Sequence, residues 1–382
     1  MSYKRLGDYI IEKVEFNDGN KYKLLQGVSN NKYFQKAKTN IIGIDLAKYR
    51  VAHYNQFVFN RATTRNGDKI SIALRKGESC IVSPSYRIFE VRDENVLHPD
   101  YLQMWFTRPE FDRYARFKSH GSAHEFFDME EMCEVELPIP SIEEQRQIVA
   151  QYQSIANKIK VNEQICEKLE ATAQALYKHW FVDFEFPNEE GKPYKSSGGQ
   201  MVWNEELGKE IPEEWEVTEF QTITNVTSGK SVKNPNGSKY PIYGAGGITG
   251  YTNDFLFDEN IIIIGRVGTH GKVFIEYGKS YPSDNTLVFT PNYLYFSYFL
   301  LKFLNYDELN KGGVQALLTQ SDLKQLHVLI PKFDLPIFEE KMSSLFELKN
   351  NIEIENQKLT QLQSLLLSRL AVGEEEKRKI MV

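Results

Sequence analysis

Gly121–Pro140 reads GSAHEFFDMEEMCEVELPIP and Gly312–Pro331 reads GGVQALLTQSDLKQLHVLIP; the two align without a gap at an offset of 191 residues. Each begins at a glycine after a basic or polar stretch. Each places an acidic residue before a helix-facing apolar one (Glu131-Met132, Asp322-Leu323) and ends in an apolar-x-apolar-Pro strand (Leu137, Ile139, Pro140; Val328, Ile330, Pro331). Upstream, Pro99-x-Tyr101-Leu102 recurs as Pro291-x-Tyr293-Leu294, and downstream Lys168-Leu169 recurs as Lys358-Leu359, at offsets of 192 and 190. Three separate stretches at nearly one offset mark a tandem duplication. Each copy reads as a globular domain of about 110–140 residues followed by a long helix.

The helices follow from spacing. Ile148, Tyr152, Ile155, Ile159, Asn162, Cys166, Leu169, Ala173, Leu176 and Trp180 recur in the 4-3 pattern of a coiled-coil seam. Ser141 supplies the start as an N-cap, with Glu143 and Glu144 in the first turn. The second helix repeats the plan with Phe338, Met342, Leu345, Ile352, Leu359, Leu362, Leu366 and Leu370, and Gly373 stops it. A single apolar stripe of this length needs a partner, and the other copy is the nearest. Asn162 stands where an apolar residue is expected, and Asn356 falls on the matching stripe. They read either as a register-fixing polar pair or as tolerated, partly exposed amides.

Pro187–Pro212, with Gly191, Pro193, Ser196-Ser197-Gly198-Gly199 and many acids, reads as a linker. The expected fold is therefore α+β, with an internal pseudo-two-fold repeat. Two globular domains of mixed β-sheet and short helices would span 1–140 and 216–331. Long helices over 141–186 and 332–373 would pair antiparallel, with a linker over 187–215 and a charged tail over 374–382. About 40 helical residues would make a rod of roughly 60 Å with a domain at each end.

Composition is that of a soluble globular protein, 41% hydrophobic and 26% charged, with no run approaching a membrane span and no signal-peptide core at Met1–Ile11. Cys80, Cys133 and Cys166 form no CxxC pair or even framework, as expected of a cytoplasmic protein. The net charge of −6 is unevenly spread: residues 1–120 hold 21 Lys and Arg against 13 Asp and Glu, and residues 188–219 hold 3 against 9. Charge alone leaves a DNA-facing surface and an ordinary solvated surface both open.

No catalytic motif stands out. There is no Asp/Asn-Pro-Pro-Tyr/Phe, GxSxG or HExxH, and His120 and His124 lack further ligand types nearby. Gly229-Lys230-Ser231 resembles the end of a P-loop, but Thr224 occupies the required glycine position. Gly244–Gly250 has the wrong spacing for a dinucleotide loop and reads as a turn between strands. The expectation is a chain with no catalytic residue, bound metal or cofactor of its own.

Candidate DNA-reading residues lie in loops. Arg61, Thr63, Thr64, Arg65, Asn66, Lys69 and Ser71 surround an Asn-Gly-Asp turn. Arg and Asn can pair bidentately with guanine and adenine edges, while Thr and Lys suit phosphates. Arg108, Arg113, Arg116, Lys118, Ser119 and His120 interleave with Phe111, Tyr114 and Phe117, as on a helix with one basic and one packed aromatic face. In the second copy the candidates are Tyr243, Gly246, Gly247 and Tyr251, then Arg266, Thr269, His270 and Lys272 after the strand Ile261–Ile264, and finally Ser283 and Asn285. Solvated loops and tight turns are the plain alternative for each.

The order of these motifs resembles the specificity subunits of type I restriction–modification enzymes over nearly the whole chain. The residues that carry it are Leu6-Gly7-Asp8, Thr64-Arg65-Asn66-Gly67 with Ile70–Ala73, Ser83-Pro84, Arg113–Arg116 and Leu137–Arg146. Leu169–Leu176, Trp180–Phe184, Ile211–Trp215, Tyr243–Gly247 and Gly265-Arg266-x-Gly268 continue it. The resemblance implies that each recognition domain reads one half of a split, asymmetric double-stranded DNA site, with the helices setting the gap. It also implies two methyltransferase (modification) and two restriction (motor/nuclease) subunits as partners, which would supply S-adenosylmethionine, ATP and magnesium chemistry. The competing reading is a coiled-coil scaffold with two protein-binding lobes and no DNA readout.

Overall fold

The computed structural model describes residues 3–37, 43–62, 69–120, 125–266, 272–306, 318–331 and 335–371. The chain forms two compact units, one from residues 1–162 with 354–382 and the other from 163–353.

The first unit is organised by an antiparallel sheet in the order Ile10–Glu12, Tyr86–Val91, Gln56–Asn60, Ile72–Leu74. Side chains alternate faces along a strand, and the central strand uses both. Phe57 and Phe59 point into a core with Phe89, Phe106, Phe111 and Phe127. Val58 points the other way, to Ala52, Ala73, Cys80, Val82 and Ile88. Phe57 stacks on Phe89 with ring centroids 4.9 Å apart. The helix Pro99–Thr107, with proline in its first turn and His98 as cap, covers the aromatic face. Tyr3–Arg5 pairs with Glu136–Pro138 to close the lobe.

The second unit repeats this order with Thr224–Ser228, Thr286–Pro291, Ile261–Gly265 and Val273–Glu276, and Leu294–Phe303 as the helix beside them. Its central strand Ile261-Ile262-Ile263-Ile264 is buried throughout for the same reason. Ile262 and Ile264 join Leu287, Phe296 and Phe299. Ile261 and Ile263 join Tyr243 and Val288. The repeat seen in the sequence is thus a repeat of sheet order and of core.

Both long helices are present, as Ile142–Tyr177 and Leu335–Arg369. Ser141 Oγ accepts the Glu144 N–H at 3.3 Å, the expected cap. The first helix continues as a π-helical turn, Lys178–Val182. Within each unit the helical segments pair antiparallel. In the first, Ile148 and Tyr152 share a core with Leu367 and Leu370, and Asn162 meets Asn356. In the second, Cys166 Sγ lies 3.9 Å from the Lys349 carbonyl, and Tyr177 and Trp180 contact Phe338. The stripe Ile148, Tyr152, Ile155, Ile159, Asn162, Leu169 and Leu176 is the less exposed face of its helix, as are Leu345, Ile352, Leu359 and Leu366 on theirs. Leu362 departs from the expectation at 45% exposed. The 4-3 rhythm from Leu359 runs through half-buried Gln363 to Leu366, so Leu362 falls outside it. Gly373 lies outside the described residues.

Each lobe is tied to a long helix by a polar side chain that bonds its backbone. Gln145, fully buried, accepts the His98 N–H at 2.8 Å and donates to the Val96 and Pro140 carbonyls. Glu339 accepts the Tyr295 and Phe296 N–H groups at 3.1 and 2.8 Å, satisfying donors at the start of Leu294–Phe303.

The stretch 187–215, expected as a linker, carries structure of its own. Met201–Asn204 and Lys209–Pro212 form a hairpin. Phe186 is fully buried, stacked on Tyr194 at 4.6 Å and tilted against Trp215 at 5.1 Å. These aromatics offset an acid-rich composition that by itself reads as solvated. No helix among the described residues is long and apolar enough to cross a membrane.

Candidate nucleic-acid interface

In the first unit the central strand Gln56–Asn60 runs directly into Arg61. The Arg61 carbonyl accepts the Phe127 N–H at 2.8 Å, and its guanidinium reaches Asp128 at 3.2 Å and faces the Phe126 ring at 5.0 Å. Asp128 caps the short helix Met129–Cys133 in a reciprocal box with Glu131. It also accepts Arg87 Nε and Nη2 at 2.6 and 3.0 Å. Burial pushes the Asp128 carboxyl up, but bonds from Arg87, the Met129 N–H and Arg61 prevail and hold it at about 2.

The second unit uses the same joint. Ile261–Gly265 runs into Arg266, whose carbonyl accepts the Leu318 N–H at 3.2 Å. Thr319 caps Gln320–Lys324 in a box with Asp322. Phe127 and Leu318 are 191 residues apart, so Arg61 and Arg266 occupy one structural position at the exit of the central strand. The surroundings differ. Asp128 neutralises Arg61, whereas uncharged Thr319 stands in the second lobe and Arg266 Nε is buried without a hydrogen-bond partner.

The far root of the first loop is also built. The Lys32 ammonium, 6% exposed, donates to the Ile70 carbonyl at 2.7 Å and pairs with Asp112. Asp112 Oδ1 accepts the Ile70 N–H at 3.0 Å. Burial lowers the Lys32 pKa against the opposing pull of Asp112. Lys69, one residue before this clamp, is exposed. Thr63, Thr64, Arg65 and Asn66 lie outside the described residues.

The other predicted residues divide. On the helix Pro109–Lys118, Phe111 faces the core while Arg113 and Arg116 face out, pairing with Glu110 at 3.1 Å and Glu125 at 2.5 Å. Lys118 lies 6.0 Å from the Tyr114 ring centroid, and His120 exchanges backbone hydrogen bonds with Phe126. Phe117, expected on the packed face, is 81% exposed, because Phe111, Tyr114 and Ala115 already fill that side. Ser71 is buried at 3%, with its carbonyl engaged by the Asn60 N–H, so it belongs to the sheet and not to a surface.

Tyr243 is corrected likewise. It is 5% exposed, its ring packs near Phe274, and its hydroxyl donates to Glu276 at 2.6 Å. Gly246 and Gly247 close the hairpin of Tyr240–Gly244 with Gly247–Thr252, and Gly247 has φ +123, a backbone that suits only glycine. Tyr251, 48% exposed, and Lys272 are at the surface. Ser283 and Asn285 form the turn before Thr286–Pro291, where the Asn285 carbonyl accepts the Arg266 N–H at 3.1 Å. Thr269 and His270 lie outside the described residues. Arg50 and Arg87, which sequence reading passed over, come together with Arg61 only in the fold, from two different sheets and the end of a third strand. Among the described residues no group of three His, Cys, Asp or Glu could hold a metal ion.

Comparison with known proteins agrees with this architecture. The chain is 29% identical over 305 residues to the Type I restriction enzyme MjaIX specificity subunit of Methanocaldococcus jannaschii, covering 72% of this chain and 68% of that protein. It is 21% identical over 429 residues to the Type I restriction enzyme HindI specificity subunit of Haemophilus influenzae, covering 91% and 92%. The crystal structure of the Type-I restriction-modification system S subunit from M. genitalium shares the fold, with a TM-score of 0.62 at 18% identity over 97% of this chain and 96% of that one. The family model described as Type I restriction modification DNA specificity domain matches residues 4–171 and 212–364, most of the length, and the chain therefore belongs to that family.

Proposed function

We propose that this chain supplies DNA sequence specificity to a type I restriction–modification complex, each lobe reading one half of a bipartite, asymmetric site in double-stranded DNA. The observation that carries this reading is the shared joint at Arg61 and Arg266, where one lobe design opens two dissimilar polar loops. Equivalent positions set in different surroundings suit two different half-sites. The set assigned to contact is Arg61, Lys69, Arg113, Arg116, Lys118 and His120 in the first lobe. In the second it is Tyr251, Arg266, Lys272 and Asn285, and the loop residues Thr63–Asn66, Thr269 and His270 are assigned to the same work.

The chain performs no catalytic step in this reading. Two modification subunits transfer methyl groups from S-adenosylmethionine, and two restriction subunits use ATP and magnesium, in the cytoplasm. The paired helices fix the gap between half-sites, in line with the rule that a rigid two-lobed reader sets centre-to-centre distance at about 34 Å per DNA turn. Methylome sequencing of a host carrying the system tests this directly. Matched seven-residue insertions in both long helices should lengthen the gap and leave each half-site unchanged; altered half-sites with an unaltered gap would refute the assignment.

A further inference from the structure

Arg50 is the third guanidinium at the Arg61–Arg87–Asp128 cluster, and its charge is only partly compensated. It sits in the strand Arg50–Ala52, paired with Cys80–Val82 and bridged to Phe16, so its backbone is fixed. The residue is 9% exposed, and its Nε and Nη1 are buried without a hydrogen-bond partner. The nearest carboxylate oxygen, Glu12 Oε1, stands 3.8 Å from Nη1 and also 3.9 Å from Arg87 Nη1. Asp128 is already occupied by Arg87 and Arg61. Among the described residues, three guanidinium groups thus share two carboxylates, leaving one positive charge in excess. Burial and the neighbouring Arg87 both act against the charged form of Arg50, with Glu12 only partly opposing them.

An unsatisfied buried donor costs roughly 1–3 kcal/mol and more when charged, and an anion held by the partly exposed Arg87 and Arg61 beside it would offset that buried charge. A phosphodiester carries one negative charge and two free oxygens that match a guanidinium fork. Arg87 and Arg61 keep 25% and 39% of their side chains exposed beside it, so the seat is open on one side. We propose that Arg50, flanked by Arg87 and Arg61, seats a backbone phosphate of the DNA at the root of the first lobe's reading loop. This rests on the DNA-reading function proposed above, and it places a sequence-blind anchor beside residues assigned to read bases.

The test uses the chain assembled with its modification subunits, a duplex carrying its own site and a scrambled duplex, with affinity measured across KCl concentrations. Arg50→Met should weaken both duplexes in equal proportion and flatten the log–log salt dependence by about one unit. Glu12→Gln, at a half-exposed position, should tighten both and steepen that dependence. Opposite signs from two neighbouring substitutions cannot arise from damaged folding, and Glu12→Gln decides alone should Arg50→Met fail to assemble. A wild-type salt slope in Arg50→Met, a lost base preference without a slope change, or weaker binding by Glu12→Gln overturns the phosphate seat. Absence of any preference between the duplexes in the wild type would instead overturn the DNA-reading function.

Discussion

The Asn162 side-chain amide donates to Asn356 Oδ1 at 2.8 Å and to Glu355 at 2.7 Å, although Asn162 is only 1% exposed on an otherwise apolar stripe. Asn356 in turn approaches the Ile159 carbonyl at 3.5 Å. An amide pair with one buried member is satisfied in one register and lost in any slipped one, so it selects alignment at some cost in stability. Asn162→Leu alone removes the donor to the half-buried Asn356 side chain and should cost about 1 kcal/mol. Asn162→Leu with Asn356→Leu should recover most of that loss. Thermal unfolding of the four members of this cycle checks it, and simple additivity would show that the two amides act independently.

Glu170 makes the second unit acid-sensitive. It pairs with Lys349 at 2.7 Å and with Lys302, from two different helices. Burial pushes its carboxyl up, but the two ammonium groups outweigh this and bring it from 4.5 to about 2. A depressed carboxylate contributes stability above its unfolded pKa and loses it as pH falls through the folded value. The contribution is on the order of 3 kcal/mol at neutral pH and disappears between about pH 4.5 and pH 2. Asp128 behaves with the same sign in the first unit. Calorimetric melting should show Glu170→Gln less stable than wild type at neutral pH, with the gap closing on acidification; a constant gap would mean that the pairs contribute nothing electrostatic.

Features encoded locally were legible in the sequence. The 191-residue repeat reappears as two capping boxes, at Asp128 and Thr319, and the heptads reappear as the less exposed stripes. What escaped depends on distant partners. Tyr243 looked like a loop residue because nothing nearby in sequence shows Glu276 waiting for its hydroxyl. The hairpin at 201–212 was hidden by its acids, although Phe186, Tyr194 and Trp215 signalled a core to cover. Arg50 and Arg87 lie on separate strands and Arg61 follows a third, and no spacing rule brings them together.

The Tyr243 correction has a direct consequence. Tyr243→Phe removes the donor to Glu276, a carboxylate whose pKa burial already raises. Stability should fall by about 1–3 kcal/mol, while half-site preference stays unchanged. A shifted base preference in binding selections on random DNA would return Tyr243 to the reading surface.

Lys32 and Asp112 offer the sharpest separation of lobe from lobe. Their buried pair holds both the N–H and the carbonyl of Ile70, just before the strand Ile72–Leu74. Lys32→Met strands a carboxylate that is 9% exposed, a loss of roughly 3–5 kcal/mol in such settings. Lys32→Met with Asp112→Leu removes both charges and should recover much of the stability, but the Ile70 anchor stays lost. Because the clamp lies wholly within the first unit, the double variant should discriminate poorly at one half-site and normally at the other. Competition between duplexes altered in one half at a time reads this out, and equal loss at both halves would show that the clamp does not position a single loop.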